Sequence, residues 1–147
     1  MKIQLSVLLI LTSFLSFAHD EGHGPALKDE SMNGGKVAAI ISALDVKKGR
    51  KAEMLYKGEL VHDSRDLSTK VYIYDTNMKA IDLSSFAGEM QAVQIERGKE
   101  KTFTLKKDKS GKFYQGARPK NKRVPFNIDI RVLNGDKALF GAFDGLD

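Results

Sequence analysis

Three histidines are present, and two of them lie close to a predicted cleavage site near the start of the chain. His19 follows Ala18, and His23 lies four residues later. If signal peptidase cuts after Ala18, the new α-amino group and the imidazole of His19 can bind one metal ion together. Nitrogen-rich, near-square-planar ligand sets favour Cu(II), and a metal readily displaces protons from an amine and an imidazole near neutral pH. The spacing predicts a copper site in which His23 or His62 adds another imidazole.

The simpler alternative is a polar tail whose histidines bind nothing. Residues 19–34 contain few apolar side chains, which is typical of a flexible terminal segment. His62 follows a predicted strand, and Asp63 beside it can orient an imidazole or add an oxygen ligand. Both interpretations stay open, with His19, His23 and His62 as the candidate metal ligands and copper as the expected ion.

The first residues have the pattern of a secretion signal. Lys2 supplies a positive charge, residues 3–17 form an apolar stretch, and the small residues Ser16 and Ala18 match a cleavage site. The stretch is shorter than the roughly 20 residues that cross a bilayer. We therefore expect export, to the periplasm in a Gram-negative cell. The predicted organisation is a cleavable signal peptide over residues 1–18, a flexible N-terminal tail over 19–34 and one folded domain over 35–147.

Two short runs concentrate positive charge, residues 47–51 and residues 118–123. The formal net charge of the chain is +5, which favours contact with anionic surfaces. The runs together predict docking on an envelope protein complex or an anionic membrane surface. Nucleic acid is not expected, because both runs lack interleaved aromatic side chains. The alternative is that they are solvated loops that protect strand edges. The candidate interaction residues are Lys47, Lys48, Arg50, Lys51, Arg118, Lys120, Lys122 and Arg123.

The sequence lacks the patterns of common enzyme sites. It contains no cysteine, which excludes disulfides, thiolate metal sites and a cysteine nucleophile. It also contains no serine elbow, phosphate-binding loop, dinucleotide glycine pattern or H-E-x-x-H pair. We expect a non-catalytic protein with no cofactor other than copper.

Short alternating runs separated by turn residues predict an all-β domain. Residues 126–132 alternate apolar and polar side chains, so one face of that strand is expected to be buried. Residues 80–83 are expected to form a short edge strand. Seven to nine such strands favour an antiparallel immunoglobulin-like β-sandwich, with a small barrel as the alternative. One face of the strand predicted over 52–62 contains Met54, Tyr56, Gly58, Leu60 and His62.

Four segments of the chain resemble a group of small bacterial periplasmic proteins. The segments are GGKV at 34–37, YKGELV at 56–61, VYIYD at 71–75 and FDGLD at 143–147. In those proteins a histidine-rich N-terminal tail precedes a β-sandwich, and they are similar to domains found beside heavy-metal efflux systems. The resemblance implies a periplasmic protein associated with metals.

The predicted mature chain is also similar to CopC-type copper carriers, whose first residue is a metal-binding histidine on an immunoglobulin-like sandwich. This resemblance implies that His19 is a copper ligand. The aspartate–glycine–histidine element of that family is absent, because Leu146 follows Asp144 and Gly145. The expected function is non-catalytic metal binding in the periplasm, with copper favoured, in metal resistance or trafficking. The alternative is a metal-independent interaction module that docks through its basic loops.

Overall fold

Residues 24–147 are described by a computed structural model, and they form one antiparallel β-sheet. The predicted signal peptide, His19 and His23 lie outside the described residues. A 3₁₀ helical segment over Ala43–Lys51, kinked at Gly49, connects the first two strands. The strands are β1 (Lys36–Ser42), β2 (Met54–His62), β3 (Ser68–Tyr74), β4 (Glu89–Glu96), β5 (Lys99–Lys107), β6 (Tyr114–Ala117), β7 (Phe126–Asn134) and β8 (Lys137–Leu146).

The sheet closes into a barrel with the strand order β1-β2-β3-β6-β5-β4-β7-β8. β1 pairs with β2 on one side and with β8 on the other, which closes the sheet. The predicted all-β antiparallel fold is confirmed, as is the predicted number of strands. The predicted sandwich is corrected, because the strands form one continuous sheet and not two packed sheets. Alternating apolar and polar residues identify the buried face of a strand in a sandwich and in a barrel alike. Closure of the sheet depends instead on pairing between strands that are far apart in the sequence.

Alternate residues of the strands point into the barrel and form its core. The predicted inward face of β7 is confirmed by the burial of Phe126, Ile128, Ile130 and Val132. Leu139 and Phe143 of β8 enter the same core, whereas Phe140 packs on the outside with Ile41 and Ala52. Burying one such large side chain contributes about 1.5–3 kcal/mol, so the interior is the main source of stability.

The two ends of the barrel differ in chemistry. We call the end where β1, β3, β5 and β7 begin the polar end, and the opposite end the apolar end. At the apolar end, residues 75–88 fold across the core and bury Leu83 and Phe86. The ring of Phe86 meets Tyr56 edge-on, with 5.6 Å between the centroids. The strand predicted over 80–83 does not form, and only a single bridge joins Ala80 to the end of β3.

Polar groups at the apolar end are paired. Lys107 Nζ donates to the carbonyl oxygens of Leu83 and Phe86 at 2.7 and 2.6 Å. The hydroxyl of the buried Tyr114 donates to the carbonyl of Ala87. These contacts hold residues 83–87 over the core, because a buried carbonyl without a partner would cost free energy.

Residues 24–35 lie along the outer face of β1 and β2 and are held by the buried carboxylate of Glu59. Five donors reach this carboxylate: the backbone N–H groups of Met32, Asn33 and Gly35, the side-chain amide of Asn33 and the hydroxyl of Tyr74. Burial alone would raise the pKa of Glu59, but the hydrogen bonds outweigh it and lower the pKa. Lys57 and Asp29 add an ion pair at 2.8 Å. The described part of the predicted flexible tail is thus attached to the barrel.

Candidate functional site

The side chain of Arg118 enters the polar end of the barrel just after β6. Tyr114, Gly116 and Arg118 alternate along the chain, so Arg118 points to the same side as the buried Tyr114. Only 2% of Arg118 is exposed, and its guanidinium carbon lies 4.7 Å from the centroid of the Phe126 ring. A cation is therefore stacked on an aromatic face inside the protein.

The guanidinium of Arg118 forms hydrogen bonds through only one of its nitrogens. Nη1 donates to Asn121 Oδ1 at 2.9 Å, to the carbonyl of Pro119 at 3.1 Å and to Gln94 Oε1 at 3.5 Å. Nε and Nη2 are buried and have no hydrogen-bond partner among the described residues. Burial lowers the pKa of Arg118, and the charge of Glu96 opposes that shift. The free nitrogens form the edge of the guanidinium that pairs with both oxygens of a carboxylate.

Two more buried polar groups near Phe126 have no partner. His62 meets the Phe126 ring edge-on at 5.5 Å between centroids, and its Nδ1 is buried and unpaired within the described residues. Thr69 lies opposite His62 in the β2–β3 register. It is 1% exposed, and its hydroxyl is also unpaired there. Each buried polar group without a partner lowers the free energy of unfolding by roughly 1–3 kcal/mol, so the burial of this end reduces stability.

The surroundings of His62 favour the neutral imidazole. Burial lowers the pKa of His62, and the positive charge of Arg118 lowers it further. The carboxylates of Asp147 and Asp63 oppose this shift, but the net direction is downward. At neutral pH one ring nitrogen therefore donates and the other accepts.

A recess of about 400 Å³ opens beside His62, with Leu60, Leu146 and Asp147 among its walls. Asp63 is at its rim, and hydrogen bonds from Arg65 lower the pKa of Asp63 to about 2. Arg65 Nη2 lies 2.6 Å from Asp63 Oδ2. The recess thus combines one imidazole and the two carboxylates of Asp63 and Asp147 with the side chains of Leu60 and Leu146.

A second recess, of about 340 Å³, lies at the polar end outside the turn between β4 and β5. Glu96 lines it, but its carboxylate accepts from the Lys122 backbone N–H and from Gln94 Nε2, each at 2.9 Å. This carboxylate ties the loop after β6 to the β4–β5 turn. We define the basic recess by its five cations, Arg97, Lys99, Lys101, Lys122 and Arg123. None of the five forms a salt bridge with any residue in 24–147.

The two basic runs that were expected to act together lie at opposite ends of the barrel. Residues 47–51 belong to the 3₁₀ segment at the apolar end, where Lys48 pairs with Asp45 at 2.9 Å. Lys120 is exposed at the polar end, but Arg118 is inside the barrel. The basic recess therefore combines two predicted residues with three that the sequence analysis did not select: Arg97, Lys99 and Lys101.

The predicted metal ligands do not meet within the described part of the chain. His19 and His23 lie outside it, and His62 contacts Phe126. Across residues 24–147, no three histidine, aspartate or glutamate side chains are close enough to hold a metal ion. The copper site stays a prediction.

Comparison with known proteins assigns the chain to no family. No protein-family model, curated protein or solved structure matches it. The resemblance to efflux-associated domains and CopC-type carriers therefore stays an expectation. Among residues 24–147, no helix is long and apolar enough to cross a membrane.

Sequence reasoning missed the interior position of Arg118, although a signal for it exists. Its two-residue spacing from Gly116 and Tyr114 places it on the inward face, but the surrounding cations made the whole run resemble a surface loop. His62 was placed on the same face as Leu60 and Tyr56, which the structure confirms. The alternation along β2 could not show that Thr69 of β3 lies beside His62, because the sequence does not reveal the register between the two strands.

Proposed function

We propose that this protein is an exported, non-catalytic interaction domain that binds an acidic segment of an envelope protein in its basic recess. The observation that supports the proposal is the convergence on one concave surface of five cations that have no salt-bridge partner among residues 24–147. Opposite charge on a partner would steer the encounter and orient the complex.

The shape of the surface favours a protein segment over a lipid bilayer. The recess is concave, and apolar atoms of the side chains form most of its lining. A protruding peptide can place carboxylates beside the cations and aliphatic groups against the lining, whereas a flat layer of headgroups reaches only the rim. Each exposed ion pair contributes only about 0.2–1 kcal/mol, so several must act together.

The test is binding of a labelled glutamate-rich peptide to the processed protein, measured by fluorescence anisotropy at low salt with a chelator present. A glutamine version of the peptide with the same label controls for the dye. Reversing two charges in the recess, Lys99→Glu with Lys122→Glu, should weaken binding at least about tenfold. The matched control, Lys47→Glu with Lys51→Glu, changes the net charge equally at the apolar end and should retain binding.

Equal loss in the two double variants would contradict the proposal, since only the net charge would then matter. Binding to phosphatidylglycerol vesicles without binding to the peptide would also contradict it and favour a membrane surface. The interaction should weaken steeply with added salt, because exposed charges are screened.

Copper binding by the start of the mature chain is a second proposal, and the position of Gly24 supports a smaller ligand set for it. Gly24 contacts Ala39 and Ile41 on the outer face of β1, whereas His62 lies beyond the level of Lys36. The level of Ala39 and Ile41 and the level of His62 are therefore five to seven residues apart along the strand direction, or roughly 16–23 Å. One residue of backbone spans at most about 3.6 Å, which is short compared with this separation and supports a ligand set without His62.

We therefore propose His19, its α-amino group and His23 as the copper ligands, without His62. Cu(II) titration of the processed protein should show binding that His19→Ala or one residue added before His19 weakens strongly. His62→Ala is the matched control and should bind as the unaltered protein does. Unchanged affinity after both alterations at residue 19 would overturn the copper proposal and leave the docking proposal unaffected.

A further inference from the structure

The interior of the polar end contains a cation that lacks a counter-ion in hydrogen-bond contact. Arg118 is almost fully buried, and its Nε–Nη2 edge is unpaired within residues 24–147. The hydroxyl of Thr69 and the Nδ1 atom of His62 are unpaired at the same end. Removing an ion from water without compensation costs several kcal/mol. This buried cation, together with two further groups at the same end that have no partner among the described residues, points to a ligand that supplies the missing partners.

We propose that the polar end binds a small organic carboxylate inside the barrel. Arg118 grips both carboxylate oxygens through Nε–H and Nη2–H, and the Thr69 hydroxyl donates a further hydrogen bond. His62, in the tautomer protonated at Nδ1, donates another hydrogen bond to the ligand from the neighbouring strand β2. The site is distinct from the basic recess, whose side chains lie outside the β4–β5 turn.

The donor set favours a carboxylate over a phosphate. The two free N–H groups of one guanidinium edge are parallel and match the spacing of carboxylate oxygens. Arg118 is the one cation that lies in the interior of this end among the described residues, which suits a single negative charge. The neighbouring recess is lined mainly by polar groups, and only Leu60 and Leu146 offer large apolar side chains there, so the carboxylate can carry no more than a short aliphatic tail.

Entry to the site requires a covering segment to move, and residues 119–125 are suited to do so. None of their side chains is buried. Within the described structure no hydrogen bond joins their backbone to another backbone group outside the strands. They are attached by polar contacts to Arg118 and Glu96. A segment with few buried contacts opens at low cost in free energy, so exchange through it is compatible with a stable barrel.

The experiment is an NMR titration of the processed, isotope-labelled protein with sodium butyrate, with sodium chloride at equal ionic strength as the reference. The Arg118 Nε–H resonance should shift saturably with butyrate and not with chloride. Arg118→Lys keeps the charge but loses the paired donors, and it should weaken binding about tenfold or more. Lys120→Arg is the control on the exposed part of the same loop, outside the basic recess, and should bind normally.

Thr69→Val provides an independent check, because it removes only a hydroxyl and preserves side-chain shape. It should weaken butyrate binding several-fold while the spectrum stays folded. The proposal is overturned if no saturable shift occurs, if chloride produces the same shift, or if Arg118→Lys binds butyrate as the unaltered protein does. Loss of butyrate binding in Lys99→Glu with Lys122→Glu but not in Arg118→Lys would place the anion in the basic recess instead.

Discussion

The two ends of this barrel are closed in different ways. At the apolar end, Leu83 and Phe86 fill the opening, and Lys107 and Tyr114 pair with the carbonyl groups that the covering segment buries. At the polar end, Arg118 fills the opening, but its Nε and Nη2 donors have no partner in the described part of the chain. The same sheet thus has one end optimised for stability and one end that retains unused hydrogen-bonding capacity.

This difference indicates where function is located. Binding sites tend to occur in regions of lower local stability, because a ligand needs groups that the protein itself has not satisfied. The polar end has the interior donors, the adjoining recess and the basic recess, whereas the apolar end has mainly packing contacts. Four measurements can break or sharpen this contrast.

The largest expected effect is at the apolar end. Phe86→Ala should lower the free energy of unfolding by about 3–5 kcal/mol, since it leaves a cavity beneath the covering segment. Urea denaturation followed by circular dichroism measures the loss. Val124→Ala, at a residue 61% exposed in the polar-end loop, is the control and should change stability by less than about 0.5 kcal/mol. Similar losses of stability in Phe86→Ala and Val124→Ala would contradict the difference between the two ends.

A matched pair of hydroxyl deletions compares the two ends directly. Tyr114→Phe removes the donor to the Ala87 carbonyl and should cost about 1–2 kcal/mol. Thr69→Val removes a hydroxyl that has no partner in the described structure, so stability should be unchanged or rise by up to about 1 kcal/mol. Chemical denaturation without added carboxylate measures both. A larger loss in Thr69→Val than in Tyr114→Phe would contradict the comparison.

Replacing the buried cation should have little net effect on stability. Arg118→Met loses the hydrogen bonds of Nη1 but also removes the cost of burying a charge, so the change should stay within about 1 kcal/mol. The measurement is again urea denaturation, with Arg123→Met as the surface control. A loss above about 3 kcal/mol would show that the charge of Arg118 is fully compensated in the folded protein.

The smallest effect concerns pH. The folded-state pKa of His62 is lowered, mainly by burial and then by Arg118. Between the unfolded pKa, about 6.5, and the lower folded pKa, the unfolded chain binds more protons, so stability falls as pH drops through this window. An NMR titration should show His62 with a midpoint below 6.5. The stability difference between the unaltered protein and His62→Gln should shrink over that pH range, and a constant difference would argue against burial as the cause.

The sequence predicts a structural feature well when the residues that determine the feature lie close together along the chain. The inward face of β7 was predicted correctly because four large apolar residues alternate without interruption. Residues 80–83 looked like a strand, but Leu83 instead packs across the end of the barrel, where the tertiary contact outweighs local β propensity. Closure of the sheet and the meeting of His62, Thr69 and Arg118 depend on long-range register, which no local pattern records.

The prediction of the candidate binding residues was limited in the same way. The interaction residues were chosen for their charge, but the two runs that contain them lie on different connections of the barrel, one after β1 and one after β6. Arg118 differs from Lys120, Lys122 and Arg123 in directly following β6, where it still continues the alternation of Tyr114 and Gly116. Chemical type could therefore be predicted from composition, whereas the accessibility of each side chain required the fold.

The seam between β1 and β8 joins segments about a hundred positions apart, with Ile40 opposite Gly141. The closed sheet can be completed only after the last strand has been synthesised. Until then β1 and β7 each present a bare flank with unpaired amide and carbonyl groups, which can recruit strands from other molecules. A premature stop codon before residue 137 would thus create a molecule prone to self-association as well as one lacking a strand.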